Sequence, residues 1–181
     1  MTIDPTVAWT SSLLLAAVFV ASAAIKFADL DEFRGALESY RIAPAVIEPI
    51  LTFALPLLEL CGAIGLMFAS WRAFAAVALL ALLAIFSTAI AINLLRGRVY
   101  IDCGCFGPAL RQKISWWLVA RNGALAVLAT IAAVPLAPRD LGALDFITIA
   151  LGAITLAILY AAANYLLANA PRLAALKMSD A

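Results

Sequence analysis

The 181-residue sequence contains no histidine. That absence removes Ser-His and Cys-His catalysis, haem ligation by imidazole, and any zinc site that needs a histidine. Charge is scarce as well: Asp, Glu, Lys and Arg make up 13% of the chain, and the net charge is +1. Such a balance leaves no electrostatic footprint for a nucleic-acid partner. No GxxxxGK[ST] or GxGxxG stretch occurs, so no nucleotide-cradling loop is signalled. No Lys or Arg precedes the first apolar run, where a secretory signal peptide carries its basic segment, so this run is expected to stay as a helix. Internal repeats and low-complexity tracts are absent too.

What fills the chain is apolar. Hydrophobic residues reach 66% and the mean hydropathy is +1.07, against roughly 45–50% apolar in soluble domains. A soluble protein of this length could not hide so much apolar surface. The expectation is an all-α integral membrane protein forming a single domain. Pro5–Ile25, Ala73–Leu95 and Phe146–Pro171 are uncharged, and each reaches the roughly 20 residues that a crossing helix needs. Pro49–Trp71 carries only Glu59, and Ile114–Pro138 only Arg121. Five spans are predicted, near 7–27, 50–71, 73–95, 115–137 and 144–168, as a four-helix bundle core plus one further helix. Arg121 is expected to snorkel to the membrane surface. Pro56, inside the second span, is expected to kink it just before Glu59.

The connection after the first span predicts an interfacial helix near 30–42. Asp29-x-x-Glu32 is patterned as a capping box. Phe33, Leu37 and Tyr40 form one apolar stripe at i, i+4 and i+7, and Glu38 and Arg41 are expected to pair across the solvent face. The helix is read as a covering connector or a partner-docking element.

The connection at about 96–113 holds the sharpest motif, Asp102-Cys103-Gly104-Cys105-Phe106-Gly107-Pro108. Two cysteines one residue apart can bond only if the chain turns, because disulfide Cα atoms sit roughly 4.4–6.8 Å apart. Gly104 permits that turn. A bond closing so small a ring is strained, hence oxidising, and suits exchange with other thiols better than stapling. Arg98, Arg111 and Lys113 favour a thiolate, and Asp102 opposes it. Two other readings stay open: inert surface thiols, or a two-thiolate Cu(I) site. A zinc site is short of ligands, with Cys61 the only other cysteine.

Alternating spans place the first and third connections on one face. Lys26, Glu59, Cys61, Asn93, Arg121 and Asn122 are expected in the half of the membrane that carries Cys103 and Cys105. Glu59, Cys61 and Arg121 are expected to face the bundle interior. Glu59 is read either as a structural ion pair with Arg121 or Lys26, or as the polar edge of a pocket that takes protons and electrons. Cys61 is read mainly as a packed small residue. Arg72 and Arg139 are the only basic residues assigned to the opposite face, so the positive-inside rule puts the cysteine loop in the cytoplasm. Redox compartment argues for the periplasm, and that side is preferred.

The Cys103-Gly-Cys-Phe-Gly107 block in a small multi-span chain resembles MauE, the methylamine utilisation membrane protein family. The Lys26-Phe-x-Asp29 and Tyr40-Arg-Ile-x-Pro44 stretches and Glu59 fit that family and the broader DoxX-like group. The resemblance covers nearly the whole chain. It implies a bacterial inner-membrane protein needed for maturation of the disulfide-rich, periplasmic small (beta) subunit of methylamine dehydrogenase, beside a thioredoxin-like MauD-type partner. It also invites comparison with the quinone-linked thiol oxidases DsbB and vitamin K epoxide reductase. This chain departs from those in having CxC rather than CxxC and no second loop pair.

Three functions follow in order. The first is a membrane thiol–disulfide redox protein acting through Cys103 and Cys105, with Glu59, Cys61, Arg121, Lys26 and Gly104 in support, no metal, and a quinone as the conceivable electron acceptor. The second is a non-enzymatic assembly factor or scaffold for the same maturation. A transporter comes third, because the spans carry few polar residues and no internal symmetry.

Overall fold

The computed structural model describes residues 2–42, 44–103 and 112–179, with side chains through residue 169. Among the described residues six helices follow one another: α1 (Pro5–Ala28), α2 (Leu30–Tyr40), α3 (Glu48–Gly65), α4 (Arg72–Leu95), α5 (Trp116–Ala133) and α6 (Ala143–Ser179). Five of them, all except α2, are long and apolar enough to cross a membrane. Isolated bridges join Ile3 to Leu136 and Asp102 to Lys113, and no strand occurs among the described residues. The protein is an all-helical, multi-pass membrane protein.

Helices α1, α3, α4 and α5 close a ring, each packing on its two neighbours, while α6 lies outside against α1. The ring encloses Leu15, Phe19, Leu66, Leu79, Leu83 and Leu125, with alanines between them. Small residues bring the helices close. A Cβ on Gly62 would come within 2.5 Å of the Leu79 side chain, and one on Gly65 within 2.9 Å of the Ala75 Cβ. Membrane helices associate through such close packing, because lipid gives no hydrophobic drive between them. The polarity is inverted relative to a soluble bundle. Phe53, Leu58, Phe74, Val77 and Ile85 face outward, while Ser12, Lys26, Glu59, Asn93, Arg121 and Asn122 are buried.

Helix ends follow local chemistry. Asp4 caps α1 by accepting from the Thr6 N–H at 2.8 Å, with Pro5 in the first turn. Asp29 serves two helices. Its N–H bonds the Ile25 carbonyl to end α1, and its carboxylate accepts from the Glu32 N–H at 2.9 Å to start α2. Arg41 differs from its expected place. It leaves α2 in the left-handed region at φ 49°, so it cannot pair along the helix with Glu38, which takes Arg34 instead at 3.0 Å. The α3 helix stops at Gly65 rather than near 71. Residues 66–71 turn back so that α4 can start at Arg72, although Leu66, Met67 and Phe68 keep the segment apolar.

Contacts at each end fix the faces. On one, the Ile3 N–H bonds the Pro135 carbonyl at 3.0 Å, and Arg139 joins Asp4 at 3.2 Å and Asp145 at 3.0 Å. Hydrogen bonds from Thr6 hold the Asp4 carboxyl below its usual range, and bonds to Asp145 and Asp4 raise the Arg139 guanidinium above its own. Buried Arg72, at the α3–α4 turn, donates to the carbonyls of Ala132 and Val134, the last turn of α5. The opposite face gathers the end of α1, α2, the start of α3, the end of α4, residues 96–103 and 112–115 of the connection, and the start of α5.

Candidate functional site

Cys103 stands beside the isolated Asp102–Lys113 bridge, in a neck formed by residues 101–103 and 112–114. Its N–H donates to the Gln112 carbonyl at 2.8 Å, and the Ile114 N–H donates to the Ile101 carbonyl at 2.9 Å. The half-buried Cys103 packs on a cluster of Ile90, Ile114 and Leu118 at this end of the bundle. Gly104, Cys105, Arg111 and the expected close approach of the two cysteines lie outside the described residues. Lys113, expected to favour a thiolate, has its ammonium 4.9 Å from the centre of the Tyr100 ring.

Two polar groups tie the neck to α2 and α4. The Arg98 guanidinium donates to Asn93 Oδ1 at 3.1 Å and to the Tyr40 carbonyl at 3.4 Å. The Tyr40 hydroxyl lies 3.5 Å from the Cys103 carbonyl oxygen, at the long limit for a hydrogen bond. On the far side, the Gln112 amide donates to the Asn164 carbonyl at 2.9 Å, and Asn164 Oδ1 accepts from Arg121 at 3.0 Å. Arg121 also reaches Asn122 Oδ1 at 3.5 Å. Arg121 therefore turns into the protein rather than snorkelling: α6 supplies an amide acceptor there, and the side chain is 7% exposed. Gln112 and Asn164 are site-supporting residues that sequence reasoning missed: Gln112 sits between two charged residues in a connection, and Asn164 is a single amide in an apolar run.

The pair chosen for Glu59 is Lys26. Its ammonium donates to Glu59 Oε1, and both side chains are almost wholly buried, at 3% and 1% exposure. The same ammonium lies 5.1 Å and 5.0 Å from the ring centres of Phe33 and Phe86. Contact with π faces is one of the few ways to accommodate an ammonium away from water. Cys61 does not share this interior and is exposed on the outer surface. The reason is helical geometry: two residues at 100° each carry it to the face opposite buried Glu59.

A cavity of about 160 Å³ lies between α2, α3 and α4. Phe33 and Tyr40 from α2, Leu55 from α3 and Phe86 from α4 form its walls, and Lys26 and Cys103 both line it. The predicted apolar stripe of α2 thus roofs a space rather than filling one. Lys26 of the ion pair and Cys103 meet this one cavity, whereas Arg121 belongs to the α5–α6 side.

Fold and site together define a multi-pass helical membrane protein with a thiol and a buried ion pair on a shared cavity. Comparison with known proteins makes this specific. A family model described as methylamine utilisation protein MauE matches residues 4–138. The methylamine utilization protein MauE of Paracoccus versutus is 40% identical over 164 residues, covering 90% of this chain and 88% of the relative. MauE of Methylophilus methylotrophus is 39% identical over 163 residues, 89% of this chain and 86% of its own. MauE of Paracoccus denitrificans is 43% identical over 127 residues, 70% and 68% respectively. No solved structure matches. The chain belongs to the MauE family of methylamine utilisation proteins.

Proposed function

We propose that this chain is a thiol–disulfide oxidoreductase of the bacterial inner membrane that forms disulfides in the small (beta) subunit of methylamine dehydrogenase, with Cys103 and Cys105 as the reacting pair. The observation that carries the reading is the placement of Cys103. A backbone bond ties it to Gln112 at one end of the bundle, its side chain packs on Ile90, Ile114 and Leu118, and it lines the same cavity as Lys26. A thiolate of the subunit attacks one sulfur of the Cys103–Cys105 disulfide, giving a mixed disulfide. The second subunit thiolate then attacks that bond. Two electrons pass to this chain, the subunit gains one disulfide, and Cys103 and Cys105 end as thiols carrying two protons. A MauD-type thioredoxin-like protein relays the exchange. The loop faces the periplasm, where such bonds persist.

The test replaces both cysteines, Cys103→Ser and Cys105→Ser, in a host growing on methylamine. The expected result is a variant that inserts normally while the small subunit accumulates with reduced cysteines and no active dehydrogenase. Full maturation with the double variant overturns the redox reading. It leaves the scaffold, for which the exposed acidic groups Asp31 and Glu38 on α2 offer a docking face.

A further inference from the structure

Exchange of the kind proposed leaves Cys103 and Cys105 reduced after each cycle, so an acceptor must take two electrons and two protons. We infer that the cavity between α2, α3 and α4 binds the ring of a lipid-soluble quinone, held by Lys26 and approached by Cys103. This inference rests on the redox reading for its role in turnover, but the binding site stands on its own geometry.

Four observations point to that occupant. The volume, about 160 Å³, suffices for one six-membered ring, since an apolar cavity of about 150 Å³ admits benzene. Phe33, Tyr40 and Phe86 on the walls offer flat apolar faces, which suit a planar ring better than a flexible acyl chain. Ile85 lines the cavity and is also 59% exposed on the outer surface of α4. It lies ten residues before the end of α4 at Leu95, roughly 15 Å along the helix at 1.5 Å per residue. Ile42, 45% exposed past the end of α2, lines the cavity too, so the cavity has exposed lining both at the end of the bundle and on the outer surface of α4, where a lipid-dissolved molecule can enter. Finally, an ammonium with three N–H donors lies at its inner wall, one of them on Glu59. A ring carbonyl oxygen can accept another.

The balance closes with this acceptor. Cys103 and Cys105 lose two protons and two electrons as their S–S bond forms. A quinone takes the same two electrons and two protons and leaves as a quinol. The Lys26 ammonium holds exchangeable protons at the cavity wall and stabilises negative charge on a ring oxygen.

The experiment uses the full chain in proteoliposomes with an azido-substituted short-tail ubiquinone as photoaffinity probe. It is run in the Cys103→Ser, Cys105→Ser background, so binding is read without thiol chemistry. Labelling is expected on peptides from α2 or α4, and an excess of decylubiquinone should abolish it. Ala89→Trp, which fills the cavity, should remove labelling. Lys26→Met with Glu59→Gln, which deletes the ion pair without stranding a charge, should weaken it about tenfold, the scale of one lost charge-assisted hydrogen bond. Labelling elsewhere, or labelling indifferent to both changes, overturns the site. Thiol oxidation of the native chain by decylubiquinone is measured separately. Binding without oxidation leaves the site standing and removes its role in turnover. Exchange with protein thiols without binding overturns the site and leaves the redox reading standing.

Discussion

Lys26 and Glu59 share one fate because each is the other's compensation inside an apolar bundle. Changing Glu59 to Leu alone strands the Lys26 ammonium at 3% exposure, and Lys26→Met alone strands the carboxylate. Removing one partner of a buried pair costs about 3–5 kcal/mol, whereas removing both is often near neutral. Each single change should therefore lower the unfolding midpoint in detergent markedly, and Lys26→Met with Glu59→Leu should recover most of it. Equal loss in the single and double variants would show that the two groups are not coupled. The sequence marked both residues as charges within spans. It could not choose between Lys26 and Arg121 as the partner, because that choice depends on which helices are neighbours. Cys61 shows a different gap. Its distance from Glu59 along the chain was visible, but which helix face is inside became known only once Glu59 was seen to be buried. Gln112 and Asn164 had no signal at all, since their bond joins a loop to a helix 52 positions away.

Helices long enough to cross were legible because uncharged runs and helix length are the same measurement. The end of α3 was not. Leu66, Met67 and Phe68 extend the apolar run past Gly65, and hydropathy cannot see a turn made of apolar residues. Close approach of α3 to α4 makes that turn. Gly65→Val places a branched side chain where a Cβ alone would come within 2.9 Å of Ala75. The expected loss is about 1–3 kcal/mol, the usual cost of overpacking, read as a lower unfolding midpoint with unchanged helical circular dichroism. At α2 the pivot is Asp29, whose carboxylate supplies the N-cap. Asp29→Ala should cost about 0.5–2 kcal/mol. Because α2 lies over the cavity rather than within the four-helix ring, amide exchange should quicken in residues 30–40 and stay unchanged in α4. The capping signature and the apolar stripe of α2 were both readable. The cavity beneath them was not, since empty space belongs to three elements at once.

Across the whole molecule, connectivity alone predicts that the two ends of the bundle have different contents, and the contacts agree. Arg98, Tyr40, Cys103 and Gln112 meet on one side, and Asp4, Arg72 and Arg139 on the other. Which side faces outward is decided by labelling. In intact spheroplasts, with Cys61 and Cys105 changed to Ser, a membrane-impermeant maleimide should reach Cys103. A cysteine placed at Gly142 should react only after permeabilisation. The opposite pattern would put the loop in the cytoplasm, as the basic residues around it suggest. Arg72 adds a consequence for how the chain is made. Its guanidinium, 3% exposed, bonds carbonyls of Ala132 and Val134. Those acceptors leave the ribosome about sixty residues after the arginine does. Until they arrive, the guanidinium at the start of α4 is received by water and headgroups at the end of the span. Its burial is completed only when α5 packs on α4, so a nascent chain halted before Trp116 should leave the first turn of α4 open to water-soluble probes that the full chain excludes.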